Sequence, residues 1–259
     1  MCRLAAYLGE KIPLADLINK PHYNLYEQSW QAREMSYGKV NADGFGFGWY
    51  DRHGKAGVYR KASPIWADDN LPDLSRAWQA SLWLAMVRSA TAGSAYDHRA
   101  AQPFRYRHFL FMHNGFINNM GSVRKKLVAE LSVESAELVA GVSDSEYLFA
   151  LFCEHLKKTE KIDVALRQTL LWCLDHFSSD NVGMLNIVVS DGQQLCASRF
   201  AIREKEPTLY VNHKGESGFP DNSLLLASER FSENDHWQLV PAATLVSLRP
   251  GQEPVFRSL

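Results

Sequence analysis

The stretch N-A-D-G-F-G-F-G-W-Y at residues 41–50 places a glycine at every second position from 44 to 48, with aromatic residues between and after them. A β-strand has a side-chain period of two, so the glycines share one face and the aromatic rings the other. The aromatic face belongs in a core, and a bare glycine face lets another backbone or a ligand come close. A tightly packed strand also explains the pattern. Phosphate binding does not, because the spacing is G-x-G-x-G rather than G-x-G-x-x-G.

The segments around this stretch predict more strands than helices. Strands are predicted at residues 3–8, 44–50, 82–88, 108–113, 183–190, 194–201, 223–227, 243–248 and 254–257. Helices are predicted at residues 14–20, 71–81, 120–131, 143–156 and 162–177. Strands followed by two long helices and then more strands favour an α+β fold, with helices layered on antiparallel sheets. No repeat or low-complexity linker divides the chain, so we predict one domain over residues 1–259.

The composition limits the class of protein. Of 259 residues, 46% are hydrophobic and 22% charged, which permits a full globular core. The net charge of -1 gives no basic footprint for nucleic acid. No apolar run approaches the roughly 18 residues that cross a bilayer, and no signal-peptide pattern opens the chain. We therefore expect a cytoplasmic protein without a membrane or nucleic-acid partner.

Four cysteines and nine histidines are scattered along the chain. No pair has C-x-x-C spacing or the spacing of zinc ligands, so we predict no disulfide framework and no metal. We also predict no other cofactor. Cys153, Cys173 and Cys196 lie among apolar residues and are expected in the core.

Cys2 differs from the other cysteines because it follows the initiator Met1. A small side chain at this position lets an aminopeptidase remove the methionine. The product carries a thiol and a free α-amine on one residue, and the amine titrates at about pH 7.7–8.0. It can then take the thiol proton, as in N-terminal threonine nucleophiles. The alternative is an incidental cysteine in a frayed terminus.

Two polar motifs follow predicted strands. Arg88 ends an apolar strand and opens a polar loop, where it suits either bidentate binding of a carboxylate or a structural salt bridge. His113, Asn114 and Gly115 follow the next predicted strand. The Asn side chain and the Gly N–H suit an oxyanion, although an Asn-Gly turn explains the motif as well.

The S-D-S-E sequence at residues 143–146 opens a predicted helix. It fits a capping box, with Ser143 as N-cap and Glu146 reaching back. Asp144 is then left in the first turn, where it suits a substrate ammonium group or complements the helix dipole.

In this order the motifs resemble the class II glutamine amidotransferases, which are N-terminal nucleophile hydrolases. The stretches at residues 24–30, 41–49 and 88–91 look like the stand-alone branch that includes the ergothioneine-pathway γ-glutamyl hydrolase. By motif, the resemblance covers Cys2 to about Glu146. It implies a four-layer αββα sandwich of antiparallel sheets.

The resemblance also implies a site and a reaction. The implied residues are catalytic Cys2, Asn114 and Gly115 and substrate-binding Arg88, Thr91, His113 and Asp144. The thiol of Cys2 would attack a γ-carbonyl, with its own α-amine as general base and an oxyanion hole from Asn114 and Gly115. Arg88 would hold the substrate α-carboxylate and Asp144 its α-ammonium. Water would then release glutamate from a thioester.

Some positions depart from the wider family. Residues 86–87 read M-V where synthetase-linked members usually show H-T, Ser89 stands where many have Trp, and residues 101–104 read A-Q-P-F where many have N-A-H-P-F. These departures favour the stand-alone branch and leave open which acceptor side of the substrate fits. Resemblance to the ergothioneine-pathway hydrolase of that branch implies a small-molecule substrate, a γ-glutamyl-cysteinyl histidine-betaine sulfoxide. Two alternatives stay open: a glutaminase subunit that supplies ammonia to a separate synthase partner, and a non-catalytic amino-acid-binding protein on the same fold.

Overall fold

The computed structural model describes residues 1–35, 38, 40–89 and 98–259. Its strands are β1 Arg3–Pro13, β2 Phe45–Tyr50, β3 Ala56–Lys61, β4 Gln79–Val87, β5 Phe104–Tyr106, β6 Phe109–Ile117, β7 Gly183–Ser190, β8 Leu195–Arg199, β9 Ala201–Ile202, β10 Tyr210–Asn212, β11 Leu224–Ala227, β12 Gln238–Leu239, β13 Thr244–Leu248 and β14 Val255–Ser258. Its helices are α1 Leu14–Ile18, α2 Leu25–Gln28, α3 Leu71–Ala77, α4 Met120–Glu130, α5 Val133–Ala136, α6 Asp144–Thr159 and α7 Ile162–His176, with short 3-10 turns at Ile65–Ala67 and His98–Ala100.

The strands form two antiparallel sheets. The first has the order β12-β10-β11-β1-β4-β2-β3, and the second has the order β14-β13-β8-β7-β6-β5, with β9 also paired to β7. Strand β1 lies inside the first sheet, where Ala5 pairs with Ala227 of β11 and with Ala85 of β4. Residues 5–8 of β1 are therefore held between two neighbouring strands.

Alternate residues of β1 separate two of the three apolar cores. Leu4 and Ala6 face the second sheet and belong to the core between the sheets. Ala5 and Tyr7 face the other way, into a core shared with α1, α2 and α3. Helices α4, α6 and α7 cover the outer face of the second sheet with a third core. The predicted four-layer αββα arrangement is confirmed.

The glycine-rich stretch lies mainly in β2 and follows the predicted alternation. Phe45 and Phe47 pack in the core beneath α1 to α3. Gly46 and Gly48 face the second sheet, and a Cβ added to Gly46 would lie 2.3 Å from the carbonyl oxygen of Gln102. The bare face admits the backbone that leads into β5, so the close approach expected from the sequence is confirmed.

Two predicted boundaries are wrong for the same reason. The helix predicted to residue 81 ends at Ala77, because Gln79 and Ala80 pair with Pro13 and Ile12 of β1. The Asn-Gly turn considered at residues 114–115 is absent, because β6 runs through to Ile117 and pairs with β7 along its length. In both places strand pairing overrides the local preference of the sequence.

All four cysteines are free, and Cys153, Cys173 and Cys196 are buried as predicted. In the ranges that the structure covers, none of the helices combines the length and the apolar character needed to span a membrane.

Candidate active site

A cavity of about 210 Å³ opens along the part of β6 that lies beyond β5. It is lined by Cys2, Arg88, Ser89, Ala100, Gln102, His113, Gly115, Ile117, Met120, Val142, Ser143, Asp144 and Ser145. The cavity thus brings together the predicted residues Cys2, Arg88, His113, Gly115 and Asp144. Thr91 lies outside the described residues, and Asn114 is adjacent in β6.

Cys2 precedes β1 at the edge of the core between the sheets and is 7% exposed. Its thiol lies 4.0 Å from the carbonyl oxygen of Ser89. Met1 is present, so the structure describes the chain before any removal of that residue. Burial lowers the pKa of the Met1 α-amine, and the charge of Arg3 lowers it further, whereas Cys2 and Asp43 oppose these effects.

A buried ion pair holds the main chain at Cys2. Arg3 donates from Nε to the Cys2 carbonyl oxygen at 2.6 Å and from Nη1 to Glu229 Oε1 at 2.7 Å. Both side chains are at most 1% exposed. The Tyr23 hydroxyl and the backbone N–H groups of Arg33 and Glu34 also contact the Glu229 carboxylate. The buried carboxylate is therefore fully hydrogen-bonded, as such a group requires.

The open edge of β6 carries a row of backbone N–H groups. His113 N–H donates to Gln102 Oε1 at 2.6 Å, and Gln102 Nε2 donates to the His113 carbonyl at 3.1 Å. Ile117 N–H donates to Asp144 Oδ2 at 2.7 Å. In an antiparallel pair alternate residues point to the same edge, so the N–H of Gly115 points the same way, between these two contacts. Since Gly115 lines the cavity, its N–H is directed there.

Gly115 fits only because it has no side chain. A Cβ at this position would lie 1.8 Å from the carbonyl oxygen of Met184 and 2.7 Å from His113 Nε2. Contacts this short would force β6 away from β7.

Asn114 lies on the opposite face of β6. Strand alternation puts its side chain on the same face as Met112, which shares the inter-sheet core with Cys2. Asn114 is 0% exposed, and neither its Oδ1 nor its Nδ2 has a hydrogen-bond partner among the residues that the structure describes. Buried polar atoms are nearly always paired, so this amide has hydrogen-bonding capacity that the described residues do not use.

Arg88 and Asp144 bring opposite charges to the cavity from different layers. Arg88 follows β4 and is 6% exposed; its Nη1 donates to the Asp43 carbonyl at 3.2 Å, and its backbone N–H to Gly44. Asp144 is the first residue of α6. The site therefore has a cation and an anion facing one small volume.

The capping box at the start of α6 is confirmed, with Ser143 as N-cap and Glu146 reaching back to its N–H. The expectation that Asp144 is otherwise free is wrong. Its carboxylate accepts the backbone N–H groups of Ile117 and Ser145, both at 2.7 Å. These bonds fix the orientation of Asp144 at the cavity wall.

Comparison with known proteins identifies the family of the chain. The family profile described as "Glutamine amidotransferases class-II" matches residues 20–258. The chain belongs to the class II glutamine amidotransferases. The resemblance predicted from the motifs is confirmed, and the chain is an enzyme of the hydrolase type.

Three proteins place this class II amidotransferase among its relatives. It is 32% identical over 249 residues to the γ-glutamyl-hercynylcysteine sulfoxide hydrolase of Mycolicibacterium smegmatis, covering 96% of both chains. It is 26% identical over 293 residues to "Probable glutamine amidotransferase DUG3" of Saccharomyces cerevisiae, covering 96% of this chain and 82% of that one. A solved structure of a glutamine aminotransferase class-II domain protein from Silicibacter pomeroyi has a TM-score of 0.70 at 24% identity, covering 99% of both chains. This last likeness shows the fold.

The ring of His113 lies at the cavity wall, where both of its nitrogens make hydrogen bonds. Its Nε2 lies 2.9 Å from the carbonyl oxygen of Met184, which can only accept, so Nε2 carries the proton. Nδ1 then accepts from the Ser145 hydroxyl at 2.9 Å. Burial lowers the pKa of His113, and Asp144 opposes that shift. With both nitrogens engaged, the predicted substrate contact of His113 has no free ring nitrogen to use.

Two contributors to the site were not predicted from the sequence. The Arg3–Glu229 pair joins residues far apart in the chain, and neither residue stands in a local motif. Gln102 was noted only as a departure from the family pattern, yet its amide contacts the backbone at His113. The bare face of Gly46 was the available signal, because it predicted that another backbone approaches β2.

Proposed function

We propose that this enzyme hydrolyses γ-glutamyl amides through a thioester on Cys2 once Met1 has been removed. The observation that carries the proposal is the single cavity shared by Cys2, Gly115, Arg88 and Asp144. A nucleophile, a directed backbone N–H and two opposite charges are the groups that such a substrate requires.

The charged pair accounts for selectivity. A γ-glutamyl group has a free α-carboxylate and a free α-ammonium, which suit Arg88 and Asp144 respectively. Within a peptide chain both groups are consumed in amide bonds. An ordinary internal glutamyl residue would bring no carboxylate to Arg88 and no ammonium group to Asp144, so it would lack the two charge-assisted contacts that a γ-glutamyl group makes.

The first half-reaction forms the thioester. The α-amine of Cys2 takes the thiol proton, and the sulfur attacks the γ-carbonyl carbon. The resulting oxyanion accepts the Gly115 N–H and the unpaired Nδ2 of Asn114. The C–N bond then breaks, and the proton on the α-ammonium passes to the departing amine nitrogen.

The second half-reaction reverses these roles. The neutral α-amine takes a proton from water, and the hydroxide oxygen attacks the thioester carbon. Collapse of the second oxyanion breaks the C–S bond and releases glutamate. The Cys2 sulfur recovers the proton, so the enzyme returns to its starting state.

For the group attached to the γ-glutamyl moiety, the names of the relatives support a hercynylcysteine sulfoxide, that is, a cysteinyl histidine-betaine sulfoxide of the ergothioneine pathway. The relative of that name from M. smegmatis is 32% identical over nearly the whole chain. A second candidate is a glutaminase that passes ammonia to a separate synthase, which the name of the yeast relative favours.

One experiment separates these candidates. Protein shown by mass to begin at Cys2 is incubated with glutamine, glutathione or γ-glutamyl-hercynylcysteine sulfoxide, and released glutamate is measured for wild type and Cys2→Ala. We expect the sulfoxide to be hydrolysed with the highest kcat/KM, and the variant to be inactive. Release from glutamine alone would favour the ammonia donor. No release from any of the three would contradict the proposed hydrolase function for these substrates.

A further inference from the structure

At the edge of β6 that faces the cavity, no strand among the described residues pairs with the last residues of β6. Strand β5 pairs only with Phe109, Leu110 and Phe111. Beyond Phe111, two side chains take over the bonding within the described ranges. Gln102 pairs with both backbone groups of His113, and Asp144 accepts from Ile117.

Gln102 behaves as a one-residue extension of β5. Its side-chain carbonyl accepts the His113 N–H and its amide donates to the His113 carbonyl, which is the bonding that a paired strand residue provides. The side chain is buried, with the residue only 3% exposed. Because both of its hydrogen bonds go to His113, this buried amide is tied to the main chain of β6.

The first sheet holds Gln102 in this place. The missing side chain of Gly46 leaves room for the Gln102 carbonyl, which a Cβ would approach to 2.3 Å. The preceding residue is tied as well, because Arg60 Nη1 donates to the Ala101 carbonyl at 3.3 Å. The glycine-rich strand β2 thus reaches the cavity through Gln102.

We propose that Gln102 is a positioning residue for the Gly115 N–H that binds the oxyanion, a role that rests on the function proposed above. Its two bonds fix His113, two residues before Gly115, and the Asp144 bond fixes Ile117, two residues after it. The N–H between them is held in register on both sides. An oxyanion donor acts only when it is already aimed at the developing charge.

The kinetic test compares wild type with Gln102→Leu, which keeps the approximate size and removes both bonds. We expect kcat for glutamate release to fall about 10- to 100-fold, since misplacement of about 1 Å at a reacting group costs up to 10² in rate. KM should stay within about threefold, because the bonds to Gly115 strengthen only in the transition state. Wild-type kcat in a folded Gln102→Leu protein would overturn the proposal.

Thiol reactivity separates positioning from a general loss of structure. Alkylation of Cys2 by iodoacetamide needs the thiol but no oxyanion hole, so its rate should stay within about twofold of wild type. Asn212→Leu is the control: this buried amide also accepts from one backbone N–H, at Lys214, and donates to one carbonyl, at Gly215, and it donates in addition to Glu216 Oε2 at 3.3 Å. It should lower the melting temperature and leave kcat unchanged. Equal losses of kcat and alkylation rate in Gln102→Leu would overturn the proposal.

Gln102→Glu supplies a second variant should the leucine protein not fold. A protonated carboxyl group has the same donor and acceptor as the amide, whereas the ionised form lacks the donor to the His113 carbonyl. The ratio of variant to wild-type kcat should therefore rise as the pH falls. A ratio independent of pH would contradict the pairing.

Hydrogen exchange tests the two Gln102–His113 hydrogen bonds without any turnover. The amide of His113 should exchange slowly in wild type and at least about tenfold faster in Gln102→Leu, while Val188 in the adjacent strand stays protected. Unchanged exchange at His113 overturns the positioning role even if the enzyme is active. If His113 exchanges faster in Gln102→Leu but the wild type releases no glutamate from any substrate, the positioning contact is supported and the proposed function is contradicted.

Discussion

Arg3 donates from Nε to the carbonyl oxygen of Cys2 at 2.6 Å. Arg3 thus fixes the main chain of Cys2, the proposed nucleophile. Its guanidinium is held in turn by Glu229, 2.7 Å away. Loss of Met1 would create a new α-amine on Cys2, next to this buried cation. The ion pair therefore has two expected consequences, one for stability and one for the pH dependence of the reaction.

The first prediction concerns stability. Glu229→Gln leaves Arg3 as a buried charge without its partner, and breaking such a pair costs about 3–5 kcal/mol. Glu233→Gln is the control, since Glu233 pairs with Arg230 and Arg33 but its side chain is 76% exposed. An exposed pair contributes at most about 1 kcal/mol. Urea denaturation measures the free energy of unfolding of each, and equal losses would contradict the prediction.

The second prediction concerns the general base. Burial and the charge of Arg3 lower the pKa of the Met1 α-amine, and we expect the same direction for the Cys2 amine that replaces it. The base acts when neutral, so kcat/KM should rise with pH and level off above a midpoint below about 7.7. The charged groups around this position include Arg3, Glu229, Asp43 and Arg88.

Two substitutions at the ion pair should move the midpoint of the pH profile in opposite directions. Arg3→Gln removes a positive charge and should move the midpoint to higher pH. Glu229→Gln leaves that charge uncompensated and should move it to lower pH. Profiles of kcat/KM against pH, recorded on protein verified as folded, measure both. Shifts in the same direction would mean that the ion pair does not act on the base through its charge.

A third prediction concerns the unpaired amide of Asn114. Asn114→Leu removes the proposed donor and also removes two buried atoms that have no partner among the described residues. We expect kcat to fall about 10²- to 10³-fold, while the melting temperature stays equal or rises. A fall in stability with unchanged kcat would show that the amide is structural.

A fourth prediction concerns the charge of Asp144. Asp144→Asn should lower kcat/KM strongly for a γ-glutamyl amide but far less for the matching glutaric monoamide, which has no α-ammonium. The asparagine keeps an oxygen for the Ile117 N–H but loses the oxygen that accepts the Ser145 N–H. This loss is the same in both assays, so the difference between the two substrates reports on the charge. Steady-state kinetics with the two substrates measure the difference. Equal losses of kcat/KM for both would show that Asp144 does not bind the ammonium group.

Much of the fold is readable from local patterns. The alternation in β2, the capping box of α6 and the long apolar periods of α6 and α7 each depend on neighbours within a few residues. The short strands β5, β10 and β12 were not predicted, because two or three residues carry too little period to recognise. Residues 56–61 of β3 were missed as well, since their mixed polar pattern follows no single face.

The residues of the candidate site likewise fall into two groups, those that a local motif predicts and those that it does not. Cys2, Arg88 and Asp144 stand in motifs whose chemistry is visible in one stretch, and they meet at one cavity. Gln102 and Glu229 are defined only by what they contact across the sheets. No local pattern encodes those contacts, because strand pairing brings their residues together. The single domain over residues 1–259 and the role of Thr91 stay predictions.

The central claim is that Cys2 of the processed chain carries the γ-glutamyl group during turnover. The direct measurement is acid quenching during steady state, followed by mass analysis of the N-terminal peptide. We predict one γ-glutamyl adduct on the peptide that begins at Cys2, retained as a thioester or as the amide formed by its migration to the adjacent α-amine. The adduct should be absent from Cys2→Ala and from chains that keep Met1. Turnover at the wild-type rate by chains with Met1 retained, or by Cys2→Ala, would contradict the account.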